Sequence, residues 1–250
     1  MGLGDWVMAT ADAAKAHEVH KVRCVFGDGK RQFWSEVFEN NPKIAKTLEP
    51  GERFAWVSNI PQNRPYIEAI TPTRFIYRDS FKATPGEIYL TPDETRDKGG
   101  YILIEPHTKD KFTGPNKRWL WDRWCQVVGS FSYDFVQTGP EGTEALPGVR
   151  RIVTNTFREA LSVLSGARLL VTTDGALHHA AAAMGIPAVV IWGGAASPLN
   201  LGYDNHLNLW KGDVPCGTWN GICPHCREAL DKVTVKEVAD AIAALYPLTA

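Results

Sequence analysis

Apolar segments typical of buried β-strands alternate with helical segments through most of the second half of the sequence. Helical patterns of ten or more residues separate the segments at 101–107 (YILIEPH), 133–139 (YDFVQTG), 167–173 (ARLLVTT) and 187–194 (PAVVIWGG). Strands that alternate with helices in this way pair in parallel. The sequence therefore predicts an α/β fold in which ligands bind at the carboxyl ends of the strands.

The first half has a less regular pattern. We expect a loop at 2–5 (GLGD), followed by a helix, a strand within 21–29, a helix from Phe33 to the Asn40-Asn41-Pro42 stop, and strands in 54–59 and 73–78. Proline, glycine and charged residues concentrate in 83–100, so we place a domain boundary near residues 90–99. This divides the chain into an N-terminal domain, 1–97, and a C-terminal domain, 98–250.

Bulk composition is that of an ordinary globular protein. The formal net charge of -1 gives no sign of a polyanionic partner. No stretch approaches the roughly 18 apolar residues of a membrane span, and no basic and then apolar leader opens the chain, so we expect a cytoplasmic protein. The 5 cysteines favour reduced thiols or a metal site over a disulfide scaffold.

Three polar clusters follow predicted strands. At 172–175 (TTDG), a helix N-terminus offers free N–H groups to a phosphate or a sugar hydroxyl, although Thr173 or Asp174 can also serve only as the N-cap. In 114–119 (GPNKRW), Lys117 or Arg118 either offsets the charge of a diphosphate or is a solvated surface charge. In 137–144 (QTGPEGTE), Glu141 either accepts hydrogen bonds from ribose or is a surface carboxylate.

These clusters resemble, in order and spacing, the C-terminal half of the ADP-heptose:lipopolysaccharide heptosyltransferase family. Matching residues are Lys117-Arg118-Trp119, Gly139-Pro140-Glu141, and Asp174, His179, Gly185, Pro187 and Gly193 of the third motif. Ala176 occupies the family's usual glycine position, and Gly175 lies one residue earlier. The resemblance implies a GT-B-like fold of two facing Rossmann-like domains. The sequence begins almost on a loop that follows a first strand in the family. Either that strand is supplied otherwise or, as we expect, the N-terminal domain is reduced.

The N-terminal GLGDWVMAT is similar to the family's G-D-x-[LV]-x-[AT]-[ST] loop, with Gly4, Asp5 and Thr10 at the matching positions. The resemblance implies an inverting, metal-independent glycosyltransferase, hexosyl- or heptosyltransferase-like, that needs no cofactor. Asp5 would be the general base, and Gly4 and Thr10 would lie on the acceptor side. It also implies a set of residues that bind the nucleotide-diphosphate-sugar donor: Lys117, Arg118, Glu141, Thr173, Asp174, Gly175, Ala176, His179, Gly193 and Gly194. Within that set His179 orients the loop, whereas His178 has no assigned role.

The acceptor is the least defined part of this prediction. A bacterial surface glycan is the first expectation, and a hydroxylated DNA base, as in a phage-type glycosyltransferase, is the alternative. A DNA acceptor requires a basic cleft rim, whereas basic and acidic residues roughly balance over 1–97. A non-catalytic GT-B relic that binds a nucleotide or glycan would not need Asp5. An NAD enzyme is disfavoured because the sequence lacks a strand-linked G-x-G-x-x-G motif.

Cys216, Cys223 and Cys226 form a C-x6-C-x2-C pattern with His225 between the last two. Three interpretations remain open. The cysteines can hold a structural zinc, with His225 or a distant side chain as the fourth ligand. They can also be reduced buried thiols or form a redox-labile disulfide.

Overall fold

The computed structural model describes residues 2–246, and the N-terminal part of these residues contains two small sheets. Its elements are α1 (Leu3–His20), β1 (Arg23–Phe26), β2 (Phe54–Val57), β3 (Ile67–Ile70) and β4 (Phe75–Tyr77). β1 and β2 pair in parallel, whereas β3 and β4 form an antiparallel hairpin. Short 3-10 turns occupy Glu36–Phe38 and Pro61–Asn63.

The C-terminal part contains one large sheet with helices on both faces. Its elements are β5 (Tyr101–Glu105), α2 (Trp121–Gly129), β6 (Asp134–Gly139), β7 (Arg150–Val153), α3 (Phe157–Gly166), β8 (Leu169–Thr173), α4 (Ala176–Ala183), β9 (Ala188–Ile191), α5 (Pro198–Leu201), β10 (His206–Leu209), α6 (Pro224–Asp231) and α7 (Val235–Leu245). A 3-10 turn at Gly114–Lys117 precedes α2.

The large sheet is parallel throughout, with the strand order β10-β9-β8-β5-β6-β7. This is the doubly wound order of a Rossmann fold, and it confirms the predicted α/β class. The winding direction reverses between β5 and β8, where Glu105 and Thr172 are paired in register. Loops from these two strands diverge to opposite faces and leave a crevice between them, which is where such folds bind ligands.

The central strands are apolar up to the polar residues at their carboxyl ends, Glu105 in β5 and Thr172-Thr173 in β8, because both faces of the sheet are covered. Leu103 of β5 and Leu170 of β8 pack with α3 and α4 on one face. Ile102 and Leu169, their sequence neighbours, face the other side and pack with α2 and α7. Burial of both faces makes each strand a short apolar run, which is why these strands could be predicted from the sequence.

The N-terminal part packs directly on the large sheet and its helices. One hydrophobic cluster joins Met8, Tyr66 and Ala83 to residues of the sheet, and α1 lies against α4. All strands of the large sheet follow residue 98, which supports a boundary there, but the division into domains 1–97 and 98–250 stays a prediction. None of the helices within residues 2–246 is long and apolar enough to cross a membrane.

Two predictions for the first half are wrong. The expected helix from Phe33 is only the 3-10 turn Glu36–Phe38, because Phe38 is drawn into the core, where its ring stacks on Phe26 with centroids 4.2 Å apart. The expected GLGD loop is the start of α1, because the Asp5 carboxylate accepts a hydrogen bond from the Gly2 N–H and caps the first turn. The helices and strands absent from the sequence prediction are β3, β7, α5, β10 and α6.

Replacing Gly4 with alanine tests the close approach of α1 to α4. Alanine favours a helix over glycine by up to about 1 kcal/mol, so an unhindered Gly4 would gain stability from the change. A Cβ at Gly4 would lie 2.8 Å from Cδ2 of the buried His179 and 3.3 Å from Cα of Ala176. We therefore expect a loss of about 1–3 kcal/mol in the free energy of unfolding, measured in urea.

Gly129→Ala is the matched control for this measurement. Gly129 lies at the end of α2, and a Cβ added there would have no atom within 4 Å. The alanine variant should therefore gain stability. A gain in stability for Gly4→Ala as well would contradict the close contact between α1 and α4.

Candidate functional site

A cavity of about 940 Å³ lies between the N-terminal part and the carboxyl edge of the large sheet. Its walls include the first turn of α1, the β3–β4 hairpin and the loops that follow β5, β6 and β8. The volume is at the upper end of the range for small-molecule sites. Asp5, Lys117 and Asp174, predicted from distant parts of the sequence, all line this cavity.

Asp5 is held by three contacts on the N-terminal side. Its carboxylate pairs with Arg64 (Oδ2 to Nη2, 2.9 Å) and accepts hydrogen bonds from the Tyr66 hydroxyl (2.5 Å) and the Gly2 N–H (3.1 Å). Burial raises the pKa of Tyr66, which keeps that hydroxyl a donor. Since a carboxylate accepts about four hydrogen bonds, one position on Asp5 remains for a ligand hydroxyl.

Lys117 and Asp174 form an ion pair on the C-terminal side, with Nζ 2.6 Å from Oδ2. Asp174 is 5% exposed and Lys117 is 21% exposed. Burial raises the pKa of Asp174, an effect that the Lys117 ammonium partly offsets. Oδ1 of Asp174 is buried and has no hydrogen-bond partner within residues 2–246. The pair therefore offers a ligand one unfilled acceptor and a partly exposed cation.

The N-terminus of α4 completes this side of the cavity. Thr173, Gly175 and Ala176 line it where β8 ends and the helix begins. Free N–H groups and the positive end of the helix dipole favour an anionic ligand at such a place. This arrangement agrees with the predicted location of these residues, whereas their contact with a donor stays a prediction.

The two adjacent histidines have different contacts. Nδ1 of His178 accepts a hydrogen bond from the Gly175 N–H (2.8 Å), so His178 holds the turn that was expected to depend on His179. Nδ1 of His179 instead lies 2.8 Å from the Tyr203 hydroxyl. Burial lowers the pKa of both rings, that of His179 to about 3, and both are therefore neutral at pH 7.

Two predicted donor-binding residues lie outside the cavity wall. Arg118 follows Lys117 directly, but its half-exposed guanidinium pairs with Asp110 on the surface. Glu141 is solvent-exposed in the turn after β6 and does not line the cavity. Arg151 donates hydrogen bonds to two backbone carbonyl groups of that turn. The turn lines the cavity through Gly139, Pro140 and Thr143, whereas Glu141 does not.

Gly193, Gly194 and Thr10 also lie outside the cavity, where they serve packing. A Cβ at Gly193 would lie 2.2 Å from the Asn116 carbonyl oxygen, and one at Gly194 would lie 2.5 Å from Nδ1 of His225. Thr10 is fully buried, and its hydroxyl accepts a hydrogen bond from the Glu87 N–H (2.7 Å). Gly4, the other predicted acceptor-side residue, does line the cavity, against α4.

Several polar residues of the cavity were missed in the sequence. Glu105 ends β5, and its position directly after a buried strand was a usable signal. Lys109 and Lys111 belong to the exposed loop after β5, where a pair of lysines is too common to indicate a site. Arg64 follows a 3-10 turn, and only tertiary structure brings it to Asp5.

The three cysteines of the C-x6-C-x2-C pattern converge. Sγ of Cys216 lies 3.4 Å from Sγ of Cys226 and 3.7 Å from Sγ of Cys223. One ligand atom each from Cys216, His225 and Cys226 lies within 4.8 Å of the others. The hydrogen bond from Cys226 lowers the pKa of Cys216, which favours its thiolate. All cysteines of the chain are unpaired in the structure, which contains no disulfide within residues 2–246.

Asn116 connects this cysteine cluster to the cavity. Its side chain accepts a hydrogen bond from the Cys223 N–H (2.8 Å) and donates one to the Gly221 carbonyl (2.9 Å). Asn116 is fully buried and directly precedes Lys117. The cysteine-rich loop therefore supports the turn that carries the cation of the site.

Solved glycosyltransferases have the same fold as this chain. TibC, an iron-containing dodecameric heptosyltransferase of enterotoxigenic E. coli solved with ADP-D-β-D-heptose, superposes with a TM-score of 0.68 at 14% identity, over 98% of this chain and 74% of TibC. A family 9 glycosyltransferase from Veillonella parvula gives a TM-score of 0.67 at 15% identity, over 98% of this chain and 94% of that protein. These similarities confirm the GT-B-like fold and the structural resemblance to heptosyltransferases.

The similarity to E. coli heptosyltransferase WaaC is partial. That structure, solved with ADP, matches 60% of this chain with a TM-score of 0.45 at 19% identity, and the chain covers 45% of WaaC's length. Neither a family model nor a curated protein sequence matches the chain.

Proposed function

We propose that the protein is a glycosyltransferase that moves a sugar from a nucleoside-diphosphate-sugar donor to an acceptor hydroxyl, with inversion. The observation that carries the proposal is the opposition of two charged groups in one cavity: Asp5 from α1 and the Lys117–Asp174 pair beside α4. A sugar transfer needs a base for the acceptor and positive charge for the leaving diphosphate. The GT-B-like fold and the nucleotide sugar bound by TibC support the same conclusion.

Asp5 is the proposed general base. As the acceptor oxygen attacks the anomeric carbon, its proton passes to the one free position on the Asp5 carboxylate. Arg64 and Tyr66 fix the direction of this carboxylate through the contacts described above. A non-catalytic binding protein would not require this group, so the base separates the two hypotheses.

The other side of the cavity is proposed to stabilise the leaving group. Lys117 would exchange part of its interaction with Asp174 for the diphosphate, and the N–H groups at the start of α4 would add hydrogen bonds. Asp174, freed in part, would accept a sugar hydroxyl through Oδ1. We propose that these groups offset the diphosphate charge without a catalytic metal.

A bacterial surface glycan remains the proposed acceptor, with a hydroxylated DNA base as the alternative. Lys109 and Lys111 on the exposed loop at the cavity give the alternative some support, because a nucleic-acid acceptor needs cations at the rim. The protein is proposed to be cytoplasmic, in agreement with its unpaired cysteines.

Lys117→Ala tests donor binding. Titration calorimetry with ADP, UDP, GDP and CDP identifies the diphosphate that the wild type binds. Loss of a charge-assisted hydrogen bond should weaken that binding by roughly tenfold to a hundredfold. Arg118→Ala is the matched control and should bind normally, because its side chain pairs with Asp110 outside the cavity. Equal effects in both variants would contradict the assignment of Lys117.

Asp5→Asn tests catalysis. Removal of a general base should lower turnover by about 10² to 10⁴, while affinity for the nucleoside diphosphate changes little. Sugar transfer is measured with glycan and hydroxymethylated DNA acceptors in parallel. Asp12→Asn, on the same helix but outside this cavity, is the control that should keep wild-type turnover. Full activity in Asp5→Asn would remove Asp5 from the mechanism, and no transfer by the wild type to any acceptor would favour the binding protein.

We also propose that Cys216, Cys223, Cys226 and His225 hold a structural metal, zinc or iron. Thiolates bound to one tetrahedral zinc lie about 3.8 Å apart, close to the sulfur distances of this cluster. Nδ1 of His225 is buried and without a hydrogen-bond partner within residues 2–246, as a ligand awaiting a metal would be. TibC is described as iron-containing, which supports iron as a candidate. The metal would brace the loop that supports Asn116.

Elemental analysis of the purified protein tests the metal. We expect about one zinc or iron per chain in the wild type and loss of that metal in Cys216→Ser. Cys125→Ser should retain it, because Cys125 lies on α2, apart from the cluster. A wild-type protein without bound metal in which all 5 thiols of the chain react after denaturation would favour reduced thiols instead. Fewer reactive thiols would indicate the disulfide.

A further inference from the structure

Glu105 lies at the end of a buried strand, and its carboxyl group has no role in the proposed mechanism. It ends β5 at the point where the sheet reverses its winding, and it lines the cavity. Oε1 accepts a hydrogen bond from the His107 N–H (3.1 Å), and Oε2 accepts one from the Thr138 hydroxyl (3.1 Å). Because a carboxylate accepts about four hydrogen bonds, two positions remain unfilled.

No cation pairs with this carboxyl group within residues 2–246. The Arg151 guanidinium acts on the pKa of Glu105 only through its charge, because its hydrogen bonds go to the backbone carbonyl groups of Pro140 and Thr143. Burial therefore raises the pKa of Glu105 to about 7. Two free acceptor positions on a carboxyl group in the cavity wall match a ligand that supplies two donors.

The position of Glu105 in the sheet indicates which part of a donor it meets. Its contact with Thr138 directs it toward β6, on one side of β5. Asp174, with which Lys117 pairs, follows β8 on the other side of β5. The proposed function places the phosphates at the N-terminus of α4, beside Asp174, so the cavity wall on the side of β5 and β6 is open to the nucleoside. The neighbouring wall of the cavity is polar but uncharged. It is lined by Thr138, Thr143, Thr154 and Asn155.

We propose that Glu105 binds the vicinal 2′- and 3′-hydroxyls of the donor's ribose and selects ribonucleotides, in place of the exposed Glu141. Each hydroxyl donates to one carboxylate oxygen, which fills the two free acceptor positions. The inference rests on the proposed function, because it names the part of the nucleotide sugar that this wall recognises. Glu105 is a specificity residue and takes no part in the chemical step.

The test compares a ribonucleoside diphosphate with its 2′-deoxy counterpart. ADP, or whichever of UDP, GDP and CDP the wild type binds best, is titrated by calorimetry at pH 8, where Glu105 is largely ionised. The wild type should bind the ribo form roughly tenfold to a hundredfold more tightly than the 2′-deoxy form. In Glu105→Gln, the affinity for the ribo form should fall, and the ratio of the two affinities should approach one.

Glu141→Gln is the matched control, and it should keep the wild-type ratio because its side chain is solvent-exposed outside the cavity. An unchanged ratio in Glu105→Gln would overturn the inference, as would an equal loss for both nucleotides, which marks a structural role. If that variant does not fold by circular dichroism, Glu105→Asp is measured in the same way. A wild type that binds no nucleoside diphosphate would overturn the proposed function as well, and this outcome is distinct from binding without ribose selectivity.

Discussion

The close contact between α1 and α4 determines the geometry of the whole site. Gly4 lets the first turn of α1 lie against Ala176 and His179, because a side chain there would overlap the imidazole ring. This contact places Asp5, one residue later, in the same cavity as the N-terminus of α4. Without it, the base and the cation of the proposed reaction would belong to separate surfaces, since they are far apart in the sequence.

Two acids of the cavity form ion pairs that leave hydrogen-bond acceptor positions unfilled. Asp5 is paired with Arg64 and Asp174 with Lys117, so neither carboxylate is a buried charge without compensation. Each carboxylate still has an unfilled acceptor position, and Lys117 keeps part of its surface open to the cavity. Glu105 differs from both because no cation pairs with it, and its raised pKa reflects that difference. The same cavity thus has three acids in three environments, which suits them to three different ligand groups.

The cysteine-rich loop lies behind the cavity but affects its shape. Asn116 is fixed by that loop, and the absence of a side chain at Gly193 allows the turn of Asn116 and Lys117 to approach the end of β9. Gly193, which was predicted to bind the donor, therefore affects the site indirectly, because it allows two backbone segments to pack closely. The cysteine cluster, which suggested a metal site, and Gly193, which suggested donor binding, both support the turn that carries Lys117.

The sequence alone determined the α/β class and the strands β5, β6, β8 and β9, because buried strands and the polar turns after them are local patterns. The family resemblance singled out Asp5, Lys117 and Asp174, and all three line the cavity. Prediction from the sequence failed where a local pattern competes with packing, as at Phe38, which the core draws out of a helix. Only the tertiary structure decided which of two neighbours faces the cavity, such as Lys117 rather than Arg118, and which acid lies in its wall, Glu105 rather than Glu141. The physical reason is that side-chain direction depends on the path of the backbone and on distant partners such as Arg64 and Arg151, which sequence spacing does not specify.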